Sequence, residues 1–96
     1  MLQKIKDRLR ISHTKLDSEI EDTIKAARAE MVRAGVSERK ANDEADNLIL
    51  QAVKTYCLWN YANDSKVAEG YKKSWEYQLE NIRKTPDYAE RGDLVV

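Results

Sequence analysis

The chain has 96 residues, enough for one domain with a small core. Seventeen Lys and Arg balance seventeen Asp and Glu, which argues against broad nucleic-acid affinity from bulk charge and leaves little electrostatic barrier to self-association. One Cys and one His exclude an internal disulfide and a Cys/His zinc site within one chain, and no apolar run approaches the length of a membrane span. The opening stretch "MLQKIKDRLR" carries a charge at every second or third residue, unlike a signal peptide. The expectation is a soluble protein made in a cytoplasm, with its single thiol in a reducing compartment. Three Gly, one Pro and few β-branched residues favour an all-α fold. The pattern predicts a small bundle of three main helices plus a short N-terminal helix, over residues 1–85, and a flexible C-terminal tail over residues 86–96.

The first segment, Leu2 to Arg10, puts Leu2, Ile5 and Leu9 on one narrow seam and predicts a short helix that needs a partner. Ser12-His13-Thr14 then offers hydroxyl groups for the next helix start. That helix runs from about Leu16 to Ala34, with Leu16, Ile20, Ile24, Ala27, Met31 and Ala34 in one stripe. Asp17, Glu19, Glu21 and Asp22 suit its positive N-terminal end, and Gly35 suits its stop. In the connector "GVSERKANDEAD", Ser37 caps a single turn and Asp43 or Asp46 caps the next helix, about residues 46 to 62.

That third long element is apolar nearly all round, with Leu48, Ile49, Leu50, Ala52, Val53, Tyr56, Cys57, Leu58, Trp59 and Tyr61. Such a helix must be covered on most sides, and short partners cover only part of it. Leu50, Leu58 and Tyr61 are therefore candidates for contact with a second subunit. "NDS" forms the following turn, with Asp64 or Ser65 as cap. A last helix to about Lys84 carries the stripe Val67, Tyr71, Trp75, Gln78, Leu79 and Ile82. Tyr77 lies off that stripe and is a candidate contact residue. Thr85-Pro86 ends the helix, and "DYAERGDLVV" turns abruptly apolar at Leu94, Val95 and Val96.

No catalytic pairing is visible for His13, which fits a turn or a cap, and Cys57 fits inert packing. Asp43, Glu44 and Asp46 lack the spacing and the glycine of a calcium loop and fit capping. No metal, cofactor or catalytic residue is assigned. The basic run Lys4, Lys6, Arg8 and Arg10 admits a solvated face, salt-sensitive contact with DNA phosphates, or a contact between copies. In the last case Lys4, Arg8 and Arg10 of one subunit meet Asp17 and Glu21 of the next in head-to-tail order.

Taken together, "IKDRLRISHTKLDSEIEDTIKAARAEMVRAGV" followed by "LILQAVKTYCLWNYAND" resembles the small head–tail connector proteins of tailed bacteriophages and prophages. The marks are the "LRISHT" break, the "LDSEIEDTIKAA" helix, the "AGV" stop and the Tyr-rich helix ending in "NYAND", over roughly residues 2 to 82. The resemblance implies an all-α fold, a homo-oligomeric ring and a structural role without a reaction. Its partners are the portal protein and the next tail-completion protein, with DNA passing through the channel without sequence-specific contact and no membrane. It places the protein in the host cytoplasm before assembly and at the head–tail junction of the virion. Tyr77, Leu94, Val95 and Val96 are then candidate contacts to portal or tail. The alternative is a small helical nucleic-acid-binding protein, a packaging or regulatory factor.

Overall fold

A computed structural model describes residues 1–89, which form five helices and no strand among the described residues. These are α1 (Leu2–Leu9), α2 (Asp17–Ala34), α3 (Glu38–Ala41), α4 (Asn47–Tyr61) and α5 (Ser65–Lys84). α4 and α5 form the most extensive helix pair, joined by a three-residue turn at 62–64, and α2 packs mainly on α4. α1 lies against both α2 and α4. The all-α bundle of three main helices and a short N-terminal helix is thus present, with the single turn at Ser37 forming α3.

Local chemistry sets most boundaries. The Ser37 hydroxyl accepts the Lys40 N–H at 3.2 Å at the start of α3. Asp46 Oδ1 accepts the Ile49 N–H at 3.1 Å at the start of α4. Asp64 Oδ1 accepts the N–H groups of Lys66 and Val67 at 2.7 and 3.2 Å at the start of α5. Each satisfies a donor the helix itself leaves open. Gly35 ends α2 in the left-handed region at φ 113°, and the next N–H, of Val36, returns to the Met31 carbonyl at 2.9 Å. Arg10 ends α1 in the same way at φ 61°, an uncommon conformation for a residue with a Cβ.

The expected hydroxyl cap of α2 does not form. Leu16 occupies the cap position without a side-chain bond, and Ser12 and Thr14 are exposed. The segment is a turn instead, in which His13 Nδ1 accepts the Lys15 N–H at 3.2 Å and the Thr14 carbonyl accepts the Asp17 N–H at 3.2 Å. Asp17 and Glu19 in the first turn of α2 still complement the helix dipole.

The core draws on every helix: Ile5, Ile20, Ile24, Ala27, Met31, Ala41, Ile49, Leu50, Ala52, Val53, Cys57, Trp75 and Ile82, with Val36 from the α2–α3 link. Each large aliphatic side chain among them gains about 1.5–3 kcal/mol by leaving water. Tyr56 packs edge-on to Trp75 and Trp59, at centroid distances of 4.8 and 5.5 Å, the arrangement that aromatic quadrupoles favour. α5 ends at Lys84 as expected. Residues 86–89, however, fold back on the body rather than leaving it. Val36 and Ala89 form an isolated antiparallel bridge, and the Ser37 N–H donates to the Tyr88 carbonyl at 2.7 Å. The remainder of the expected tail, with Leu94, Val95 and Val96, lies outside the described residues.

Candidate functional site

The charged residues proposed to join copies are distributed over two faces. Lys4 and Arg8, one turn apart on α1, are exposed and share a shallow depression with Asp7 and Lys54. Lys6 points the other way and is buried, its Nζ 2.8 Å from Asp17 Oδ1. That oxygen is buried and has no partner aligned for a hydrogen bond, so the contact is an ion pair by proximity alone. The abrupt change from basic arm to acidic helix is therefore matched first within one subunit. Arg10 is exposed at the left-handed end of α1. Glu21 is exposed at the edge of a hollow of about 570 Å³ that Lys25, Arg28 and Glu44 also line.

The apolar candidates divide similarly. Leu50 is only 5 % exposed and belongs to the core of the single subunit, because α1, α2 and α5 together cover more of α4 than its all-round apolar pattern suggested. Leu58 and Tyr61 are half-buried. The surplus lies elsewhere: Leu48 is 52 % exposed, Val67 49 % and Tyr77 73 %. Tyr77 was read from the sequence as off the stripe, and its exposure agrees. The pattern places Leu48 on the all-round apolar helix and Val67 on the α5 stripe without saying which of these side chains stays in water, and each stands in the first turn of its helix. Leu48 and Tyr77 line a groove of about 220 Å³ between α4 and α5, together with Gln51, Gln78, Ile82 and Thr85. Gln78 also lines the groove, and its Oε1 is closed to solvent without a hydrogen-bond partner among the described residues.

The remaining reactive groups are engaged in structure. Cys57 is fully buried, and burial pushes its thiol up to about 12. Asp43 Oδ1 accepts the Ala45 N–H at 2.9 Å. Glu44 accepts hydrogen bonds from the N-terminal amine of Met1 at 2.8 Å and from Arg28 at 2.7 Å, which hold its carboxyl below the ordinary range in that order of strength. Tyr88 donates its hydroxyl to Asp46 Oδ2 at 2.7 Å, and Lys40 lies 3.6 Å from that oxygen and 4.7 Å above the Tyr88 ring. Among the described residues no group of His, Cys, Asp and Glu is arranged to hold a metal ion, and no helix is long and apolar enough to cross a membrane.

The geometry thus offers surfaces for packing: a basic face on α1, an acidic edge on α2 and exposed apolar side chains on α4 and α5. Comparison with curated proteins and with solved structures finds no significant match. A family model described as phage connector protein matches residues 1–88, nearly the whole described body. With that match across all five helices, the chain belongs to the phage head–tail connector family.

Proposed function

We propose that this connector forms a ring of identical subunits between the portal at the capsid vertex and the next tail-completion protein. Genomic DNA passes through the central channel without sequence-specific contact. The role is structural, and the protein moves from the host cytoplasm to the virion on assembly. The observation that carries this reading is the exposed apolar surface of Leu48, Val67 and Tyr77 on a body whose core is already filled and whose net charge is zero. Such surface favours docking against another protein, and neutrality permits close packing of copies.

At the seam between subunits, Lys4, Arg8 and Arg10 of one copy face Glu21 and the half-exposed carboxylate of Asp17 of the next, and Leu58 and Tyr61 add apolar area. A head-to-tail contact of this kind closes into a ring when the rotation from copy to copy divides a full turn. Tyr77, Leu94, Val95 and Val96 face the portal or the tail protein. The nucleic-acid alternative loses one of its four cations, since Lys6 is buried against Asp17.

Light scattering after size exclusion, with electron microscopy, tests the proposal on the protein alone and with purified portal. A ring, or a monomer recruited into a ring by portal, is expected. A species that stays monomeric and never joins portal overturns it.

A further inference from the structure

One linker, residues 10–16, joins α1 to α2, and it is held loosely. Ser12 to Lys15 are exposed, and Ile11 and Leu16 are its residues that pack against the core. Among the described residues its hydrogen bonds run only to near neighbours in the chain. The N–H groups of Arg10 and Ile11 donate to the Asp7 and Lys6 carbonyls, and that of Lys15 to His13 Nδ1. The Thr14 and Leu16 carbonyls accept the N–H groups of Asp17 and Ile20. Arg10 turns the chain out of α1 at φ 61° and ψ 42°, a left-handed conformation that is strained for a residue with a Cβ. Opening that turn releases the strain.

α1 itself is too short to persist away from a protein surface. It lies on α2 and α4, with Ile5 fully buried, Leu2 and Leu9 half-buried, and Lys6 Nζ 2.8 Å from Asp17 Oδ1. Each of these partners is present on every copy of the chain, so a sister subunit offers α1 the same cradle with the same charge match. Residues 10–16 span up to about 24 Å when extended, comparable with the 27 and 18 Å widths of the body. The reach to a neighbour packed side by side is therefore available.

We infer that on assembly α1 leaves its own α2–α4 cradle and packs into that of the next copy, so that Ile5 and the Lys6–Asp17 pair join one subunit to its neighbour. This exchange presupposes the head-to-tail ring proposed above and supplies its bond: each copy gives one arm and receives one. The free subunit keeps its arm on itself. Copies gathered on portal meet at a high local concentration, and there the exchange proceeds.

The test uses the full chain with Asp7→Cys on α1 and Lys54→Cys on α4, two positions that share one shallow depression in the single subunit. Buried Cys57 stays out of the reaction. A short bis-maleimide is added to the free protein and to rings assembled on purified portal. The free protein closes the link within single chains and runs as a monomer on a denaturing gel. The rings give a ladder of covalently joined subunits. Rings that give single chains only overturn the exchange and leave the ring standing, whereas a protein that never joins portal overturns both. Charge reversal supplies a second measurement. Lys6→Asp and Asp17→Lys each place like charges in the buried pair, and each chain alone loses ring yield. Mixed in equal amounts, their reversed charges match only between the two chains, and ring yield returns. A mixture that gives no more rings than the separate chains overturns the exchange.

Discussion

Lys6 is a cation in a place where cations are costly, and Asp17 is what makes it tolerable. Truncating Asp17 to Ala leaves a buried ammonium without a counter-charge. The expected loss is about 1–3 kcal/mol, read as a lower urea midpoint. An unchanged midpoint assigns Asp17 to the space between subunits alone. Trp75 is a different case, since its weight is in packing. It is 4 % exposed and edge-on to Tyr56, so Trp75→Ala is expected to cost about 3–5 kcal/mol in the isolated protein. A melting temperature close to that of the parent places the indole against a partner instead. The character of both residues was partly legible in the sequence. Trp75 sat on a 3.6-residue stripe, and stripes report burial. Nothing in the basic run distinguished Lys6 from Lys4 or Arg8, because that distinction depends on where α2 passes.

The helices themselves were legible because their ends are written in adjacent residues: Ser37, Asp46, Asp64 and Gly35 each act within three or four positions. The start of α2 was misread for the complementary reason. A hydroxyl near a helix start caps it only if the backbone brings it round, and the His13 turn does not. The fastening of the chain after α5 was invisible, since Tyr88 finds Asp46 across 42 residues. That bond makes a pH prediction with two limbs. Burial pushes the Asp46 carboxyl up, but hydrogen bonds from Tyr88 and from the Ile49 and Leu48 N–H groups, with the charge of Lys40, bring it net below its ordinary 3.8. Its contribution is therefore present above that value and lost as pH falls below it. The Tyr88 hydroxyl, donating to Asp46 and partly buried, is pushed up from 10.0 to about 12. Its contribution holds below pH 10 and is lost as pH rises towards 12. Urea unfolding across pH should show both limbs, and Tyr88→Phe should flatten the alkaline one and weaken the acid one. Identical profiles for the two proteins refute the linkage.

At the level of the molecule, the body closes its own core and, among the described residues, still leaves three large apolar side chains in water. The fold class and the connector family were both legible in the order of segments along the chain. The location of the surplus was not. An all-round apolar α4 announces an excess without saying which side the other helices take, and they take Leu50's side. A stripe on α5 likewise gives a direction without saying how far along it a partner extends, so Val67 at the first turn stays half exposed. Replacing Leu48 and Val67 by Ser should leave the monomer within about 0.5 kcal/mol of the parent, because neither side chain is in the core. The same pair should reduce the yield of rings on portal. Full ring yield from the double variant means that these two side chains lie outside the surfaces used in assembly.

The clasp at Tyr88 also bears on mechanical load. A pull on the chain beyond Ala89 does not fall on the last turn of α5 alone. It is shared between the backbone bonds of Tyr88 and Ala89 to Thr85 and the Ser37–Tyr88 and Tyr88–Asp46 bonds, which pass part of it to the α3–α4 corner and from there into the core. The clasp thus guards this end of α5 against peeling, because part of the strain is borne elsewhere in the body.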